Sequence, residues 1–175
     1  MITVICGTNR NNSYTRVVCE HLQKMLKMKG IPCELVDVSE LPMDFYVNNE
    51  VYGNPTPEFT ALLDRSISSS DKFVFVTPEY NGSFPGITKT FIDSFLPARI
   101  RGKKAALVGV SSGRAGNLRG MDHLTGVLNY LNMIVLPFKP AIAHCNHLID
   151  LDSRTIQDAK TQSLLDDFIT QLEAL

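Results

Sequence analysis

The amino-acid sequence predicts an α/β fold: a three-layer, doubly wound parallel sheet of five strands in the order 2-1-3-4-5. Three observations carry this prediction. Short apolar runs alternate with longer amphipathic stretches along the chain, which is the rhythm of β-α-β units. The run Phe73-Val74-Phe75-Val76-Thr77 is apolar on both alternating faces, as a central strand covered by helices on both sides requires. Polar loops follow the first, third and fourth strands, and in this strand order those ends adjoin at the topological switch point, where ligands bind.

Ile2, Val4 and Ile5 make a buried first strand, and Gly7 relieves the backbone where the chain turns. From Ser13 to about Gly30, Val17, Val18, Leu22, Met25 and Leu26 fall on one helical face, and Gly30 supplies a stop. Cys33 to Val38 is the second strand. Leu41 to Pro57 contains Pro42, Pro55, Pro57 and Gly53, so it is read as an extended loop, with Phe45 and Tyr46 either covering a ligand or pinning the loop to the core. A helix from about Pro57 to Ser70 leads to the central strand. Ile87, Phe91, Ile92 and Phe95 mark the next helix, Ala105 to Val110 the fourth strand, and about Leu118 to Leu131 another helix. A fifth strand lies near Ile134 to Leu136, and Thr155 to Leu175 closes the chain as an amphipathic helix.

Composition bounds the function. With 175 residues, 44% of them hydrophobic, the chain suits a single domain over 1–175 with a sizeable core. A formal net charge of −1 gives no electrostatic basis for nucleic acid or an anionic membrane as partner. No apolar run is long enough to span a bilayer and no signal peptide opens the chain, so a cytoplasmic location is expected. Cys6, Cys19, Cys33 and Cys145 are scattered without a C-x-x-C pair, which favours buried reduced thiols over disulfides or a metal site.

The loops carry the chemistry. In Gly7-Thr8-Asn9-Arg10-Asn11-Asn12-Ser13-Tyr14-Thr15, hydroxyls, amides and one guanidinium precede a helix whose first N–H groups lack intrahelical partners, the makings of an anion site that needs no metal. The plainer alternative is a polar turn with Ser13 as helix N-cap. Pro78-Glu79-Tyr80-Asn81-Gly82-Ser83-Phe84-Pro85-Gly86 is shaped by proline and glycine to present backbone groups to a planar ligand, or is simply a rigid turn. Ser111-Ser112-Gly113-Arg114-Ala115-Gly116-Asn117 is the third such loop.

These residues resemble the flavodoxin-like NAD(P)H-dependent FMN reductases, a family that includes flavin, quinone, azo-dye and chromate reductases. The first loop is similar to the family's G-S-x-R-x-x-S-x-N phosphate loop. The second, continued through Ile87-Thr88-Lys89, is similar to its P-E-Y-N-x-S-x-P-G-x-L-K flavin loop. The resemblance implies FMN as cofactor, with Arg10, Ser13, Tyr14 and Thr15 and the backbone near Thr8 at its phosphate. Pro78, Glu79, Tyr80, Asn81 and Gly82 would border the ring, and Ser111, Ser112 and Gly113 its pyrimidine side. It also implies NADPH or NADH as co-substrate, a small acceptor such as a quinone, flavin, azo compound or metal oxyanion, a ping-pong cycle, and a homodimer or dimer of dimers. No side chain need act as a nucleophile; Glu79 and Tyr80 have positional roles, and core packing is an equal alternative for Tyr80. Two departures stand out: Thr15 replaces the family's usual Asn, and the third loop is less glycine-rich, so that Arg114 and Asn117 are candidates to fill space near the ring.

Other groupings carry less. Cys6 and Arg10 are too close for a cysteine-phosphatase loop. His144, Cys145 and His147 crowd one short segment without an acidic partner. Arg99, Arg101, Lys103 and Lys104 form a basic cluster suited to a solvated turn or, alternatively, to the 2′-phosphate of NADPH. The second functional class to be distinguished is a flavodoxin-like electron carrier that binds FMN without accepting hydride efficiently; its usual acidity is absent here.

Overall fold

The computed structural model of the chain describes residues 1–42, 45 and 55–175. Its main sheet is parallel and runs β2 (Cys33–Asp37), β1 (Ile2–Cys6), β3 (Lys72–Pro78), β4 (Lys104–Val110), β5 (Ile134–Val135), the order that the sequence predicts. Register is continuous through the centre: Val4 lies beside Leu35 on one side and Val74 on the other, and Val74 beside Ala106.

Alternation within the strands divides the core into two. Ile2, Val4, Cys6, Val74, Val76, Ala106 and Val108 face α1 (Tyr14–Met28) and the C-terminal helix, Ala159–Ala174. Ile5, Phe73, Phe75, Ala105 and Leu107 face the opposite way, against α2 (Pro57–Leu63), α3 (Gly86–Asp93) and, beyond the short α4 (Pro97–Ile100), α5 (Leu118–Tyr130). Apart from Lys72, Pro78 and Lys104 at their ends, the residues of β1, β3 and β4 are buried whichever way they point, which is why these three strands read as nearly continuous apolar runs.

Three departures from the predicted elements stand out, the first two with a plain physical cause. The fifth strand is broken: β5 pairs with the start of β4, and β6 (Ala141–Ile142) with its end. Pro137 and Pro140 stand between the pieces and cannot donate to a ladder. The final helix begins at Ala159, because Asp158 caps it by accepting from the Thr161 amide at 2.7 Å. Thr155–Ile156 instead forms β8, antiparallel to β7 (Ile149–Asp150) after the short α6 (Cys145–Leu148). The helix predicted to Ser70 is α-helical only to Leu63 and continues as a π-turn over Asp64–Ser68. Phe45 is buried with its ring 4.7 Å from that of Phe59, the core-packing alternative for that residue; Tyr46 lies outside the described residues.

Candidate functional site

A cleft of about 550 Å³ opens at the C-terminal ends of β1, β3 and β4. Most of its lining comes from the three polar loops that follow those strands. Thr8, Arg10, Ser13, Tyr14, Thr15, Pro78, Glu79, Tyr80, Ser111 and Ser112 all line it. Asn81, Gly82 and Gly113 do not. Asn81 (φ 52°) and Gly82 (φ 81°) are the two central residues of a tight turn, in which Tyr80 and Ser83 exchange backbone hydrogen bonds at 2.8 and 3.1 Å. Two consecutive positive φ values suit Asn-Gly. The Gly113 amide donates to Ser111 Oγ within the loop and its carbonyl accepts from the His144 amide just before Cys145–Leu148, so both its backbone groups are used.

The first loop is held from below. Gly7 donates to Val76 O at 2.9 Å and accepts from the Thr88 hydroxyl at 2.7 Å. Ser13 is the N-cap of α1, its Oγ accepting from the Arg16 amide at 3.2 Å; a hydroxyl so used still has its own proton to donate, so cap and anion donor coexist. Tyr14 and Thr15 begin α1, and their amides have no acceptor among the described residues. The Arg10 side chain is exposed and has no ion pair among the described residues. Arg16, by contrast, is engaged. It bonds Asp37, Glu40 and Glu20, the last of which also pairs with Arg154. Burial opposes the Arg16 charge, but its carboxylate partners outweigh that and hold it firmly protonated. Among the described residues, Arg10 is the cation left available to an anion at the mouth of α1.

The second loop is tied to both neighbours. Tyr80 Oη lies 2.8 Å from Thr8 Oγ1, which also accepts from the Arg10 amide at 3.2 Å. The hydroxyl of Tyr80 thus belongs to the site rather than to the core. On the other side, the Glu79 amide donates to Val110 O at 3.1 Å. Asn117, expected near the ring, is fully buried and turned back on the end of β3; it fills no part of the cleft. Arg114 is exposed outside it. The basic cluster is also elsewhere: Lys104 opens β4 at the far edge of the sheet, Arg99 pairs with Asp64, and Lys103 donates to the Ile67 and Ser68 carbonyls.

Residues that sequence reasoning missed complete the lining: Asn11, Asn12, Val110, Cys145 and Leu151. Cys145 reaches the cleft because its amide donates to Ser111 O at 3.1 Å, docking α6 against the third loop. Burial pushes its thiol up to about 11, so it is a neutral, apolar wall. Among the described residues, which include His144, Cys145 and His147, no group of three or more His, Cys, Asp or Glu is placed to hold a metal.

A family model described as NADPH-dependent FMN reductase matches residues 1–147. The chain belongs to the NADPH-dependent FMN reductase family. An NAD(P)H-dependent FMN reductase of Pseudomonas aeruginosa is 32% identical over 98% of this chain and 90% of its own. A 2-hydroxy-1,4-benzoquinone reductase from Burkholderia is 29% identical, covering 99% of this chain and 94% of the relative. The structure of FerB, a flavoenzyme NAD(P)H:acceptor oxidoreductase from Paracoccus denitrificans, superposes with a TM-score of 0.75 at 25% identity over 99% of this chain and 97% of that one. The chain is therefore an oxidoreductase of this family, with FMN as cofactor and NAD(P)H as electron donor. Among its described residues, no helix is long and apolar enough to cross a membrane.

Proposed function

We propose that this FMN reductase passes electrons from NAD(P)H to a small oxidised acceptor, quinones foremost, and that the cleft at the ends of β1, β3 and β4 is where it does so. The observation that carries the reading is the juxtaposition in one cleft of Arg10 and the amides opening α1, which have no ion pair or acceptor among the described residues, and the hydroxyls of Ser13 and Thr15, opposite a wall built by Pro78, Glu79 and Tyr80. These donors fit a phosphate without a metal, and about 550 Å³ lies within the usual range of cofactor sites. Two relatives that are named as quinone reductases support the choice of acceptor.

The chain's own residues divide the work. Arg10 and the first turn of α1 would hold the phosphate by charge-assisted and helix N-terminal hydrogen bonds. The Thr8–Tyr80 bond would keep the phosphate end and the ring wall at fixed separation. Ser111 and Ser112 would offer their hydroxyls, and Ser112 its amide, along the polar edge of the ring, the Ser111 amide being held by Ile142 O at 2.9 Å, while Val110 and Cys145 would exclude water beside them. Asn81, Gly82 and Gly113 would shape the loops that carry these contacts. FMN held there would supply two-electron chemistry, accepting from the nicotinamide and giving to the acceptor in turn. Orientation and electrostatic preorganisation are then the protein's contribution, with Glu79 and Tyr80 in positional roles.

The whole chain, 1–175, is assigned to this one FMN-binding domain, and demand for NAD(P)H accords with the cytoplasm. A homodimer, or a dimer of such dimers, accords with the exposed Leu118, Tyr130 and Ile134 at the ends of α5 and on β5. Initial rates with NADPH and a benzoquinone varied together test the reaction. Parallel double-reciprocal lines are expected; intersecting lines refute the alternating order, and no FMN-dependent quinone reduction refutes the assignment.

A further inference from the structure

Asn117 stands at the junction of the third loop and α5, with φ 69° and no exposed surface. An asparagine at the start of a helix ordinarily turns its side chain forward to cap the helix amides. This one makes no such bond. Its Nδ2 points back across the sheet edge, donating to Thr77 O at 2.9 Å, Thr77 Oγ1 at 3.1 Å and Pro78 O at 3.0 Å. The amide's orientation is settled by this set, because exchanging its two ends would press Oδ1 against two carbonyls.

Its Oδ1 is buried with no hydrogen-bond partner among the described residues. Such an atom is costly, and one retained in a folded protein calls for a compensating role. The space it occupies is reserved by Gly120, where a Cβ would lie 2.0 Å from Oδ1 and 2.8 Å from the Ser83 carbonyl carbon. The loop before it is pressed equally close: a Cβ on Gly109 of β4 would meet Gly116 O at 2.1 Å.

The result is a locked peptide. Between Pro78 and Glu79 the carbonyl is held by Asn117 and the N–H by Val110 O. Pro78, Glu79 and Tyr80 form one wall of the cleft. We propose that Asn117 is a positioning residue for FMN, fixing the Pro78–Glu79 peptide by its side-chain amide so that the ring wall is set before the cofactor binds. The inference rests on the FMN reading of the cleft. It follows that the wall contributes to affinity by preorganisation, with no contact between Asn117 and the ligand.

The test compares wild type with Asn117→Ala, Asn117→Gly and Asn117→Asp. Glycine retains the left-handed backbone without the clamp, which keeps the test valid should the alanine variant fail to fold. Aspartate keeps the shape but turns an acceptor toward two carbonyls. Three readouts are taken: hydrogen exchange of the Glu79 and Tyr80 amides in FMN-free protein, FMN Kd by fluorescence quenching, and the midpoint potential of bound FMN. Expected are faster exchange at Glu79 in every variant, FMN binding weakened about tenfold, as for the loss of one or two buried hydrogen bonds, and a shifted potential. Normal FMN binding and potential in wild type and all variants overturns the proposal alone. Wild type that takes up no FMN overturns the reading of the cleft and the proposal with it.

Discussion

Replacing Gly7 by alanine tests whether the first loop is set by close packing beneath it. A Cβ at Gly7 would lie 2.7 Å from Thr77 Cγ2, 2.8 Å from Thr88 Oγ1 and 3.1 Å from Val76 O. Carbon atoms in contact ordinarily rest about 3.5–4.0 Å apart, so the new methyl demands a shift of roughly 1 Å. Nothing nearby yields easily. Thr77 is fully buried in the central strand, and the Thr88 hydroxyl is committed to the Gly7 carbonyl at 2.7 Å. Overpacking of this kind costs about 1–3 kcal/mol, which in a domain of this size lowers Tm by roughly 2–12 °C. Because the loop must move, FMN Kd should rise at least about tenfold, a loss of about 1.4 kcal/mol in binding. Gly126 is the internal control: it is exposed within α5 and its Cβ would meet nothing within 4 Å. The same substitution there should stabilise by about 0.5–1 kcal/mol and leave FMN affinity unchanged. Thermal unfolding and FMN titration of both variants decide the matter. A Gly7→Ala protein that melts and binds FMN like wild type refutes the packing argument.

The remaining predictions concern the cleft. Arg10→Ala should weaken FMN by roughly tenfold with Tm unchanged, because the side chain is exposed and makes no ion pair among the described residues; unchanged Kd removes Arg10 from the site. Tyr80→Phe breaks the 2.8 Å bond to Thr8 while leaving Thr8 Oγ1 the Arg10 amide, so a loss of about 1 kcal/mol, read as a Tm drop of roughly 2–4 °C, should accompany weaker FMN binding; wild-type values on both counts refute the brace. Cys145 should resist alkylation by iodoacetamide at neutral pH. Its folded value, about 11, exceeds the ordinary 9.0, so the neutral thiol's contribution to stability is fully present below about pH 9 and is lost as pH rises through about 11. Rapid labelling of native protein at pH 7 contradicts this.

The parts of the fold legible in the sequence are those where one local signal suffices. Strands β1, β3 and β4 are buried on both faces and therefore continuous in apolar character. The start of α1 is written in Ser13, and its end in Gly30, which takes φ 72°. The parts hidden depend on contacts distant in sequence. The β7–β8 hairpin turns through Asp152 and Ser153, whose amides bond Asp150 Oδ1, and its Arg154 reaches Glu20 on α1; nothing in a run of polar residues discloses that partner. The fifth strand's two pieces are recognisable only once Pro137 and Pro140 are seen to interrupt a ladder with β4. In the site, the first two loops could be read because hydroxyls, arginine, proline and glycine announce a shaped, polar turn. Cys145 and Leu151 enter through the docking of α6 and of the β7–β8 hairpin next to it, which no local pattern marks. Asn117 is the opposite case: its place in the loop suggests a contact with the ring, and burial turns it the other way.

The central claim is that the cleft holds FMN in a form that NAD(P)H reduces and a small acceptor reoxidises. Its most direct test is an anaerobic absorbance record of the FMN-reconstituted protein on addition of NADPH, then in a separate sample NADH, followed by a quinone. The account predicts rapid bleaching of the bound flavin by at least one donor and full recovery of its absorbance with the quinone. Bound flavin that neither donor bleaches would contradict it in favour of an electron carrier, and a protein that binds no flavin would contradict it outright.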